Sequence, residues 1–124
     1  MATYPEPPAL EIQIEEHDGS TILIITGQID LYSDQRLGAE LTRLLEEGRR
    51  QLVLDLQSVP FVDSAGFGLF IAMQKQYQQV GGRIHYANVP RNVESVVKLS
   101  RLQNFIRIFG TRAEALSAFA QTDG

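Results

Sequence analysis

Apolar and polar positions change period several times along the chain. Leu10, Ile12 and Ile14 alternate with polar residues, and STILIITG follows after HDGS. Alternation of period two predicts strands, and a short Asp-Gly loop between them predicts a hairpin, at about 10–16 and 20–26. From Asp34 the period lengthens: Leu37, Leu41, Leu44 and Leu45 fall on one face of a helix that stops near Gly48. QLVLDLQ is then a short aliphatic strand, central in a sheet. A second helix starts at Ala65 or Gly66 and runs to about Val80, with Leu69, Met73, Tyr77 and Val80 as its stripe and Gly81–Gly82 as its stop. RIHYANV is a fourth strand. Pro90 suits the first position of a short helix carrying Val93, Val96 and Val97. NFIRIFG is a last strand, and Thr111–Glu114, TRAE, is a capping box opening a C-terminal helix.

The order is therefore ββαβαβαβα: an α/β single domain with five strands in a mixed, mostly parallel sheet and four helices. Three of the five prolines lie in residues 1–9, which predicts an irregular N-terminal tail, a domain over 10–120, and a C-terminal tail at 121–124. The N-terminus lacks a basic start followed by an apolar core, and no apolar run reaches 18 residues, so a soluble, cytoplasmic protein without membrane insertion is expected.

Charge narrows the partners. Eleven Lys and Arg against fifteen Asp and Glu leave a net charge of −4, which offers no general attraction for nucleic acid. Cys is absent, and His17 and His85 lack metal-ligand spacing, so no metal or cofactor is expected.

VDSAGFG, Val62–Gly68, is the stretch that propensity explains least. It lies beyond the carboxyl end of the third strand, where ligands and partners of open α/β sheets meet the fold. Gly66 and Gly68 each cost a helix roughly 0.5–1 kcal/mol against alanine. Ser64 or Asp63 can simply cap the helix, with the glycines relieving packing. Alternatively, Ser64 is a modification site, since the electropositive helix start tolerates a phosphate whose charge disrupts a docked interface. A hydrolase is disfavoured because no G-x-S-x-G elbow surrounds Ser64, and a nucleotide-binding P-loop because no G-x-x-x-x-G-K-[ST] is present.

The segment LVLDLQSVPFVDSAGFGLFIAMQKQYQQVGGRIHYANVPRNVESVVKLSRLQNFIRIF resembles the STAS domain, the sulphate transporter and anti-sigma factor antagonist family. It is most similar to that family's free-standing bacterial anti-sigma factor antagonists. The likeness runs from GQIDLYS to the AEAL segment, with DSAGFG matching the family's aspartate–serine–small–glycine–hydrophobic–glycine signature. It implies that Ser64 is a phospho-acceptor and that Asp30 of GQID borders the same surface. It also implies an anti-sigma factor serine/threonine kinase as partner, a serine phosphatase acting on the phosphorylated form, and no catalysis by this chain. Asp63, Gly66, Phe67, Gly68, Asn88 and Pro90 are the further expected partner-binding positions. Asp30 can equally be a turn carboxylate and Phe67 a core aromatic. Ala65 stands where many relatives carry a second serine or threonine, and Ser100–Arg101–Leu102 where they carry threonine–glycine–leucine. A non-enzymatic STAS adaptor in a stress-signalling or lipid-transport complex is the alternative.

Overall fold

A computed structural model describes residues 9–120. The expected tails, apart from Ala9, lie outside the described residues. Strands β1 (Glu11–His17) and β2 (Ser20–Thr26) form an antiparallel hairpin, and Asp18 and Gly19 turn the chain with φ of 49° and 84°. Two consecutive positive φ values make the primed turn that matches strand twist, which is why Asp-Gly stands there.

Helix α1 (Asp34–Glu46), β3 (Gln51–Ser58), α2 (Ser64–Gln79), β4 (Arg83–Ala87), α3 (Arg91–Leu99), β5 (Arg107–Phe109) and α4 (Arg112–Ser117) follow, then a turn of 3₁₀ helix at Ala118–Ala120. The sheet order is β1-β2-β3-β4-β5, parallel from β2 onward. Each crossover therefore steps in the same direction, and the right-handed rule puts α1, α2 and α3 on one face. The packing agrees. Leu52, Leu54 and Leu56 of β3 and Ile84 and Tyr86 of β4 join Leu37, Leu41, Phe70 and Tyr77 in one core. The alternate residues Ile22, Val53 and Ala87 pack against Ala115 and Phe119 of the C-terminal segment on the other face. The buried Tyr77 hydroxyl donates to the Leu41 carbonyl at 2.7 Å, tying α2 to α1.

Three local expectations are corrected. The buried stripe of α2 is Phe67, Phe70, Met73, Gln74 and Tyr77, while Val80 is exposed and Leu69 only partly covered. The helix is covered on two sides, by the sheet and by α1, so a single stripe understates its buried surface. Pro90 is the residue before α3, at the N-cap, with extended backbone. The last strand shrinks to three residues because the Phe105 and Ile106 N–H groups both turn back to the Leu102 carbonyl.

Candidate functional site at the start of α2

The loops after β2 and β3 continue side by side beyond the sheet. The Gly27 N–H donates to the Ser58 carbonyl, the Ile29 N–H to Phe61, and the Asp63 N–H to Ile29, with Ile29 and Val62 bridged in parallel. This paired ribbon delivers Asp63 beside Leu31. One Asp63 oxygen accepts from the Gly66 N–H at 3.0 Å and caps α2; the other accepts from the Leu31 N–H at 3.1 Å. The carboxylate thus satisfies a helix-end donor and holds two loops together.

With Asp63 as the cap, Ser64 is the first residue of α2 and stands exposed. Its hydroxyl is not needed to start the helix. Around it the ribbon carries an apolar rim: Leu31 is 67% exposed, Tyr32 85% and Phe61 48%. Such large side chains in one loop cluster lose free energy by standing in water, so a contiguous set marks an interaction surface. Sequence reasoning singled out none of Leu31, Tyr32 and Phe61. The signal was present: LY sits in a loop outside every amphipathic period, where burial has no pattern to satisfy.

The expected site residues divide by where they point. Ser64 and Gly68 face solvent, and a Cβ on Gly68 would meet nothing within 4 Å. Gly66 points inward. A Cβ there would lie 2.6 Å from Val62 Cγ1 and 2.8 Å from the Ile29 carbonyl oxygen, so its smallness serves the seating of α2 on the ribbon. Phe67, 7% exposed, is a core aromatic packed edge-on against Phe70 at 6.0 Å between centroids. Asp30 is a turn carboxylate: one oxygen accepts from the Tyr32 and Ser33 N–H groups at 2.9 and 3.1 Å. Asn88, with φ of 54°, directs its amide at Asp55, 3.2 Å away. Pro90 is half-buried at the start of α3. Among the described residues no helix is long and apolar enough to cross a membrane, and no cluster of His, Asp and Glu is placed to hold a metal.

A mixed five-stranded sheet with three crossover helices on one face, and a capped helix start presenting a serine, defines a small α/β module. The STAS domain model matches residues 11–115, and the chain belongs to that family. An anti-sigma F factor antagonist of Paenibacillus polymyxa is 27% identical over 111 residues, covering 87% of this chain and 93% of its own. The crystal structure of an anti-sigma factor antagonist from Mycobacterium paratuberculosis is similar with a TM-score of 0.81 at 22% identity, over 95% of this chain and 100% of that one. The phosphorylated form of the Bacillus cell fate determinant SpoIIAA shares the fold with a TM-score of 0.68 at 20% identity, over 88% and 99% of the two chains.

Proposed function

We propose that the chain is an anti-sigma factor antagonist switched by phosphorylation of Ser64. Unphosphorylated, it docks on an anti-sigma factor that is also a serine kinase and so frees the sigma factor. Phosphorylation by that kinase ends the complex, and a serine phosphatase restores it. The observation that carries the reading is the division of labour at the start of α2: Asp63 caps the helix, leaving the exposed Ser64 hydroxyl free for chemistry.

Physical chemistry supports the switch. A phosphoserine at the first helical position meets unpaired N–H groups and the positive end of the helix dipole, so the scaffold tolerates it. The same group adds about 1.5–2 negative charges in the middle of an apolar rim, where desolvating it on docking is costly. Kinase, magnesium and ATP supply the chemistry, and this chain contributes only an acceptor oxygen. Leu31, Tyr32 and Phe61 contribute the apolar contact, and Gly68 leaves room for the partner to approach the first turn.

The test is incubation of the purified chain with its candidate kinase and magnesium ATP, read by intact mass. One phosphate is expected on the wild type and none on Ser64→Ala. Phosphate incorporation undiminished in S64A would remove the assigned acceptor.

A further inference from the structure

The two faces of the sheet are covered unequally. Among the described residues, twenty-one buried apolar side chains form the core on the face of α1, α2 and α3, and five form the one beneath α4. The six residues of α4 and the 3₁₀ turn after it are too few to hold a helix by themselves. The segment stays in place through what it touches, and part of that contact is polar and aimed at its main chain. His85 Nδ1 lies 2.8 Å from the Ala115 carbonyl oxygen, and the Arg83 guanidinium donates to the Phe119 carbonyl at 3.1 Å. The His85 ring is stacked on Phe119, with centroids 3.9 Å apart and planes 4° from parallel, and Phe109 lies 4.6 Å away.

His85 is fully buried, and its Nε2 has no hydrogen-bond partner among the described residues. With the Nδ1 proton donated to Ala115, Nε2 of the neutral ring is a bare acceptor. A second proton would put a donor and a charge where no group receives them. The charges around the ring add to that cost. Arg83 lies two residues back on the same face of β4, and Arg107 of β5 is the register partner of His85. On the same side, Asp55 of β3 and Glu15 of β1 are both engaged by Arg112 of α4. Glu114 of α4 accepts from the Gly110 N–H at 3.1 Å, and β2 contributes the apolar Ile22. Beside Phe119, His17 and Asp18 lie 3.7 Å from each other at the β1–β2 turn.

We infer that Arg112–Ala120 is a separately opening latch, released by protonation of His85, which bares Ile22, Val53 and Ala87 while the core on the other face and the start of α2 stay folded. The open form takes up its proton at about pH 6.5, the ordinary value for histidine. Burial, with Arg107 and Arg83 adding to it, makes the closed form take it up only at lower pH. Acid therefore favours opening, by up to about tenfold per pH unit below 6.5 until the closed form titrates as well.

The test is native-state amide exchange read by NMR at pH 7.5 and 5.5 over a series of low urea concentrations, with protection corrected for the intrinsic rate. The Ala115 and Ala118 N–H groups, which donate to the Thr111 and Glu114 carbonyls, report the latch. Leu54 of β3 and Phe70 of α2 report the core. The latch amides are expected to be protected at least tenfold less than the core amides, with less than half their dependence on urea, because opening exposes little surface. Latch protection should fall at least fivefold from pH 7.5 to 5.5. His85→Asn keeps a side-chain N–H near the place of Nδ1 and cannot titrate, so it should abolish that fall. Arg107→Gln should shrink it, since the closed form then accepts the proton more readily, and His17→Gln should leave it unchanged. Latch and core amides with equal protection and equal urea dependence would overturn the inference, since the segment would then open only with the whole domain. So would latch protection indifferent to pH, a full pH response retained in His85→Asn, or one lost in His17→Gln.

Discussion

Two aspartates of this domain, Asp63 and Asp55, live in opposite surroundings. Asp63 caps α2 at the protein surface, next to an exposed serine. Asp55 lies within β3, 2% exposed, on the face covered by α4. It accepts from the Arg112 guanidinium at 2.5 Å, from the Asn88 amide, and from the Gln57 N–H. Nearby on that face, His85 is stacked on Phe119 with centroids 3.9 Å apart, and its Nδ1 lies 2.8 Å from the Ala115 carbonyl. The first place has water to screen an added charge; the second depends on each charge keeping its partner. The proposed switch lies at the first place, and the polar groups at the second dock α4.

The largest effect should come from removing Asp55, the buried member of the pair with Arg112. Asp55→Ala takes the buried acceptor from Asn88 and leaves Arg112 with Glu15 at 3.7 Å, and it should lower unfolding free energy by about 2 kcal/mol in urea titrations. A loss below about 1 kcal/mol would place Asp55 among ordinary surface carboxylates. Next come the glycines. Gly66→Ala forces a methyl into Val62 and the Ile29 carbonyl and should cost about 2 kcal/mol. Gly68→Ala, in open space, should stabilise by about 0.5–1 kcal/mol.

A graded effect should follow acid. Burial holds the His85 imidazole below its ordinary value, with the Ala115 carbonyl opposing and Arg107 and Arg83 adding to the depression. The unfolded chain therefore takes up the proton first. The stability from His85 is complete above about pH 6.5 and is lost as pH falls from there through the lowered folded value. Urea midpoints measured from pH 8 to 5 should decline below 6.5 in the wild type and decline less in His85→Leu. Equal slopes would mean that α4 docks without regard to this imidazole. Smallest of all, Ser64→Asp should change the unfolding free energy by less than about 0.5 kcal/mol, since the charge joins a helix N-terminus in water. A loss of 2 kcal/mol or more would show that the start of α2 tolerates charge no better than the α4 face.

Element order was legible because it rests on local burial. The hairpin with its Asp-Gly turn, the Leu37–Leu45 stripe, and the Thr111 cap accepting from the Glu114 N–H at 3.1 Å all need only neighbours within about a turn. Helix α2 was harder, because Phe67 and Gln74 are buried by surfaces that their own periodicity does not reveal. Ser64, the proposed acceptor, stood out through DSAGFG, whereas Leu31 and Tyr32 lie in a loop without period.

The primary sequence by itself determined the order ββαβαβαβα, the family, and the conspicuous serine before two glycines. Each depends on side chains close together along the chain. Only the tertiary structure decided that Asp63 rather than Ser64 caps α2, that Gly66 is small for Ile29 and Gly68 is open, and that Asp55 holds Arg112 from 57 residues away. Those outcomes turn on which strand lies beside which loop. That geometry exists only once the crossovers have stacked the sheet.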